Sequence, residues 1–187
     1  LLVLLCTAVF SQSTYIPDDN FEQALIDLGL DSGALNDSVP TAAIDTVTIL
    51  DVHEKNISDL AGIEAFTSLV VLRCYSNNIT EVVLNSNTLL KELYCGVQPL
   101  ATIDISKNAA LTKLIIPDSQ LSFLDVSNNP QLERIYCGNN QLTQIDVSKN
   151  QELVRLSCYQ NQLTTLDVSQ NPKIQDLRVY SNQLTEI

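Results

Sequence analysis

From Leu69 onward, apolar side chains return every 21 residues: Leu69, Leu90, Leu111, Leu132, Leu153 and Ile174. The fourth position of each unit is apolar as well, through Leu72, Leu93, Leu114, Ile135, Leu156 and Leu177. The sixth reads Cys74, Cys95, Ile116, Cys137, Cys158 and Val179, and the ninth reads Asn77, Gln98, Ser119, Asn140, Asn161 and Asn182. Alternation of apolar and polar residues across positions three to seven predicts a short strand in every unit, with positions four and six facing inward. The second half of a unit reads LDVSxN, as in Leu124–Asn129, and also suits an extended segment better than a helix. An earlier unit, 47–68, is one residue longer. The chain then divides into 47–68, 69–89, 90–110, 111–131, 132–152, 153–173 and an incomplete 174–187, numbered here as coils 1 to 7.

The stretch before the repeats follows a different period. Pro17 is followed by Asp18 and Asp19, either of which can cap a helix start, and Phe21, Leu25 and Leu28 share one helical face. A stack of repeats needs its first apolar turn covered, so residues 13–46 read as a helical cap. Residues 1–12 open with an apolar run that turns polar at Ser11, the size of a signal-peptide core and too short to span a bilayer. Val9 and Ser11 fit the small positions before a cleavage site, and Cys6 lacks the small residue before it that a lipid-anchored cysteine requires. The first residue is Leu and the last unit breaks off early, which reads as a chain cut at both ends.

The repeated LxxLxCxxNxL pattern resembles the leucine-rich-repeat family, whose units run 20 to 29 residues. The resemblance covers 47–187 and implies a solenoid with a parallel sheet on its concave side. The fold class expected is α/β but mostly β, with short extended segments on the convex side and the helical cap at one end. The cap, the GIEAFTS unit and the CxxNQLTxLDVSxNP units together resemble exported leucine-rich proteins of Bacteroidetes-type bacteria. That likeness implies a secreted or cell-surface protein, often with further repeats and a sorting domain. In such a solenoid a ninth-position Asn can bond backbone groups of the turns as a ladder, and Gln98 and Ser119 interrupt it. The middle of the array is therefore expected to be less regular.

Charge narrows the function classes. The 187 residues carry 10 Lys and Arg against 22 Asp and Glu, a net charge of -12, which excludes a general grip on nucleic acid. The acids concentrate in 15–68, where 11 of them face one Lys; over 69–187, 11 acids face nine bases. Cys74, Cys95, Cys137 and Cys158 fall in one inward column and read as buried, reduced fillers rather than a zinc cage, which favours close CxxC pairs. Asp104, Asp125, Asp146 and Asp167 form another column. Calcium between them is one reading; bonding to the local turn backbone is the preferred one. His53 is the single His, expected to be solvated, and five Gly form no phosphate-cradling loop. No enzyme and no cofactor are expected.

Binding is the remaining class, and the outward strand positions carry it. Five of the six Tyr lie at positions three, five or seven: Tyr75, Tyr94, Tyr136, Tyr159 and Tyr180. So do all four Arg: Arg73, Arg134, Arg155 and Arg178. Three positions in 21 would collect about one-seventh of them by chance. Tyr and Arg dominate interface hot spots, so the concave face is expected to bind a macromolecule. A protein partner is preferred; a glycan stacked on Tyr rings and a passive spacer for a downstream domain are the alternatives.

Overall fold

The computed structural model describes residues 12–185. Strand β1 (Ser13–Tyr15) pairs antiparallel with β2 (Ser38–Pro40), framing helix α1 (Asp19–Asp27), and a short helix α2 (Thr41–Ile44) leads into the repeats. Asp18 caps α1 by accepting the Phe21 N–H at 2.9 Å. Its second oxygen accepts the N–H groups of Ser58 and Asp59 at 2.8 and 3.1 Å, so one carboxylate both starts the helix and ties it to coil 1. Phe21 and Leu25 are fully buried, and the Phe21 ring stacks on Phe66 at 6.4 Å. Leu28 departs from expectation: the helix ends at Asp27, Leu28 becomes its C-cap, and the side chain is 49% exposed. Glu22 is the opposite case, a carboxylate that is wholly buried because it accepts the N–H groups of Asn36 and Asp37 at 2.8 and 3.0 Å.

Beyond the cap, β3 (Ile49–Asp51), β4 (Val71–Arg73), β6 (Glu92–Tyr94), β8 (Lys113–Ile115), β9 (Arg134–Tyr136), β10 (Arg155–Ser157) and β11 (Asp176–Arg178) form one parallel sheet in chain order. Their register aligns Leu50, Leu72, Leu93, Leu114, Ile135, Leu156 and Leu177 across the sheet. All but Leu177 are buried, and with the position-one residues they form a continuous apolar core. Each coil buries a Leu it has no room to bury alone, which is why the coils stack. The intervening strands β5 (Glu81–Val83) and β7 (Thr102–Asp104) pair with each other on the convex side. Among the described residues, later convex segments form no further strands; Thr165 alone stands in a bridge, and the Thr185 N–H bonds the Thr164 carbonyl of the preceding coil at 3.3 Å.

Asp104, Asp125, Asp146 and Asp167 each accept the N–H of the Ser two residues on, at 2.8 to 2.9 Å. Those backbone bonds, helped by the Ser hydroxyls, hold all four carboxyls below the usual value of 3.8. A depressed folded value adds stability that is present above about pH 3.8 and is lost as pH falls through the lower, folded one. Urea midpoints should therefore drop between pH 5 and pH 2. Asp125→Asn with Asp146→Asn should flatten that drop, since the amide keeps the acceptor but does not titrate.

Two ladders of Asn amides join the coils. The expected one uses position nine: Asn161 donates to the carbonyls of Cys137 and Cys158 at 3.0 and 3.1 Å and accepts the Leu142 N–H at 2.9 Å. Asn77, Asn140 and Asn182 repeat the arrangement. The second ladder, unforeseen, uses the Asn at position 19 of each unit, which ends the LDVSxN segment where that motif is present. Asn87, Asn108, Asn129, Asn150 and Asn171 are buried and donate to two carbonyls of the preceding coil at 2.8 to 3.1 Å. The first ladder breaks where expected. Gln98 reaches only the carbonyl and sulfur of Cys95, within its own coil, and its Oε1 has no partner among the described residues. The Ser119 hydroxyl reaches only the Pro117 carbonyl.

Position eight has a positive φ in every coil, through Glu54, Ser76, Val97, Asp118, Asn139, Gln160 and Ser181. The chain must turn sharply off the strand there. Six of the seven are polar and unbranched at Cβ; Val97, at φ 57°, is the exception. A left-handed conformation costs a residue with a Cβ roughly 1–2 kcal/mol, and a branched one most of all.

Cys74, Cys95, Cys137 and Cys158 are free and fully buried. A hydrogen bond with Cys95 and then burial push the Cys74 thiol up; burial pushes Cys158 up to about 12. All four are shut away from solvent, and thiolate, the reactive form, is further disfavoured at Cys74, Cys137 and Cys158, so the four should resist alkylation at pH 8 in the native protein. Peptide mapping after unfolding should find all four labelled. A linked pair in the unreduced protein would contradict this.

Candidate functional site on the concave sheet face

Three columns of side chains leave the concave face, and the strand register fixes their neighbours. Position three carries Ile49, Val71, Glu92, Lys113, Arg134, Arg155 and Asp176. Position five carries Asp51, Arg73, Tyr94, Ile115, Tyr136, Ser157 and Arg178. Position seven carries His53, Tyr75, Gly96, Pro117, Gly138, Tyr159 and Tyr180. Five bases and three acids make this face positive on a chain of net charge -12.

The nine predicted residues all lie here, but they form two groups. Arg73, Tyr75 and Tyr94 belong to coils 2 and 3. Arg73 Nη1 stands 3.5 Å from Asp51 Oδ2, and its guanidinium lies over the Tyr94 ring, 5.4 Å from the centroid. Lys113 approaches the same ring at 4.8 Å and donates to the Tyr94 hydroxyl at 2.7 Å, while that hydroxyl donates to Glu92 at 2.6 Å. Tyr75 stacks on His53 at 4.7 Å. His53 is therefore not simply solvated: its Nδ1 lies 2.5 Å from Asp51 Oδ1. Partial burial opposes ionisation of Asp51, but the His53 hydrogen bond and the His53 and Arg73 charges outweigh it and hold the carboxyl low.

Arg134, Tyr136, Arg155, Tyr159, Arg178 and Tyr180 form the second group, on coils 5 to 7. Tyr159 and Tyr180 stack at 5.0 Å with their planes 9° apart. The Tyr159 ring lies against Gly138, where a Cβ would meet it at 2.4 Å. Arg178 is held by Asp176 at 3.1 Å. Arg134 and Arg155 face each other across β9 and β10, both exposed, and neither has an acidic partner among the described residues. Like charges directly opposite in a sheet are destabilising.

Coil 4 separates the groups with Lys113, Ile115 and Pro117. Sequence reasoning missed these, together with Gly96 and Val97, because it searched for Tyr and Arg rather than for departures from the repeat. Among the described residues, no three His, Cys, Asp or Glu side chains converge as metal ligands, and no helix is long and apolar enough to cross a membrane.

This geometry defines a leucine-rich-repeat solenoid, and comparison with known proteins agrees. No family model matches the chain. Internalin J of Listeria monocytogenes is 38% identical over 78 residues, 42% of this chain and 8% of that protein. The solved functional domain of internalin J, which includes a cysteine ladder, superposes with a TM-score of 0.61 at 31% identity, over 95% of this chain and 49% of that one. Internalin C2 of the same species superposes at 0.61 with 19% identity, covering 95% and 92% of the two chains. A leucine-rich-repeat protein of Leptospira interrogans superposes at 0.58 with 23% identity, covering 67% and 41%. The last two show the fold alone. The chain thus has the solenoid of bacterial leucine-rich-repeat proteins, and it spans about half of the solved internalin J domain.

Proposed function

We propose that this chain is an exported, noncatalytic recognition module whose concave face binds an acidic surface of a partner protein. The observation that carries the reading is the Arg134–Arg155 pair: two exposed, unpaired guanidinium groups set side by side at a cost to the sheet. Each offers a planar fork of donors suited to carboxylates. Tyr136, Tyr159 and Tyr180 beside them supply rigid, amphipathic area. The likeness to internalin J supports a protein-interaction role, and the opening apolar run, which lies outside the described residues, supports export to the cell surface or beyond. The cap and repeat motifs support a Bacteroidetes-type source.

Arrays of cell-surface proteins and of glycans, probed side by side, test this. The expected result is capture of an acidic protein, with affinity that falls as salt rises. Arg134→Glu with Arg155→Glu should weaken capture at least 100-fold, about 2.7 kcal/mol, and leave the melting temperature nearly unchanged, because two like charges still stand opposite each other. Binding confined to glycans, or indifferent to the double reversal, would overturn the reading.

A further inference from the structure

Between coils 2 and 4 the concave face holds an apolar dent of about 360 Å³, lined by Tyr75, Tyr94, Ile115 and Pro117 around the bare backbone of Gly96. Arg73 is its one charged lining residue, and Val97 completes it. We infer that this dent is the anchor pocket for one aliphatic or aromatic side chain of a partner protein, with an adjacent acidic residue held by Arg73. The inference rests on the concave face being a protein-binding surface and places its anchor away from the Arg134–Arg155 pair.

Three observations meet at this point. Val97 occupies the left-handed turn position that the other coils fill with polar, unbranched residues, and its side chain is 50% exposed. It serves neither the core nor the turn; what it adds is two methyl groups beside the dent. Backbone strain kept at an exposed site is a signature of function. Gly96 and Gln98 flank it, so the corresponding run of coil 5, Gly138-Asn139-Asn140, is here Gly96-Val97-Gln98. The coil has lost its ladder amide at the same place.

Charge selects the occupant. The three acids of the concave columns are already engaged: Asp51 by His53 and Arg73, Glu92 by Tyr94 and Lys113, and Asp176 by Arg178. Asp51 gives one oxygen to His53 and leaves the other 3.5 Å from a single Nη of Arg73. Most of the five guanidinium donors stay available for a carboxylate. A segment with an apolar residue beside Asp or Glu fits both features, whereas one with a basic neighbour meets a positive face.

Panning phage-displayed random nonapeptides on the immobilised protein tests the assignment. Enriched peptides should pair an apolar residue with an adjacent acid. They should bind Val97→Asn and Arg73→Gln at least tenfold more weakly, and Val97→Asn should at the same time melt several degrees higher. Peptides that bind Val97→Asn as well as the wild type overturn the inference. If Arg134→Glu with Arg155→Glu loses those same peptides, the concave reading survives without the pocket. Enrichment of peptides without acids, a failure of any peptide to enrich, or a lower melting temperature for Val97→Asn also overturns the inference. The protein array then decides the wider reading by itself.

Discussion

Asn161→Ala should lower the unfolding free energy by about 3–5 kcal/mol, a large share of the roughly 5–15 kcal/mol that holds a typical domain together. The side chain satisfies three buried backbone groups at once, the carbonyls of Cys137 and Cys158 and the N–H of Leu142, and also reaches the half-buried Tyr159 carbonyl. Each buried group left without a partner costs about 1–3 kcal/mol, and entry of water keeps the total below the simple sum. Urea unfolding followed by circular dichroism measures it; a loss under 1 kcal/mol would mean that the ladder is decoration on a stack held by leucine alone. The reverse substitution sharpens the test. Gln98→Asn restores an amide of ladder length where none now spans two coils, and should add about 1 kcal/mol.

Two glycines at the same position of their coils should respond very differently to a methyl group. At Gly96 an added Cβ would lie 2.5 Å from Pro117 Cδ and 2.5 Å from the Pro117 carbonyl oxygen. A proline ring and a backbone oxygen cannot move without moving coil 4, so Gly96→Ala should cost about 2–3 kcal/mol, the upper part of the range for overpacking. At Gly138 the obstacle is the ring of Tyr159, at 2.4 Å. That ring lies on the surface and can swing aside, so Gly138→Ala should cost under about 1 kcal/mol. Thermal unfolding of the two variants side by side decides the matter. Equal losses would mean that the Tyr159–Tyr180 stack is part of the stability of the coil rather than a movable surface feature.

The period-21 columns made the solenoid, the inward cysteines and the concave Tyr and Arg legible before any coordinates, because a repeat turns sequence position into spatial position. Leu28 was misread because helical periodicity does not say where a helix stops, and α1 ends one residue short of it. Glu22 was invisible for the opposite reason: its burial depends on two N–H groups 14 and 15 residues away. The second Asn ladder was in plain view, yet Asn at the end of LDVSxN reads equally well as a turn residue. Its donors find carbonyls only once the coils are stacked. The dent beside Val97 was legible only as a set of exceptions to the repeat, and exceptions carry meaning only when the backbone conformation they must adopt is known.

The hydrogen bonds of the second ladder always run to carbonyls 24 and 21 residues back. A bonding scheme that depends only on a constant offset is indifferent to how many coils precede it. Removing or duplicating one whole coil of the regular array would re-form the same bonds at the junction. The distance along the concave face between the Val97 dent and the Arg134–Arg155 pair can therefore grow in steps of about 4.8 Å, the spacing of neighbouring strands, as coils are inserted between coils 4 and 5, without redesign of either element. A lineage of such proteins could retune its reach toward partners of different size by copying rungs, as one lengthens a ruler, while every side chain that does the gripping stays as it was.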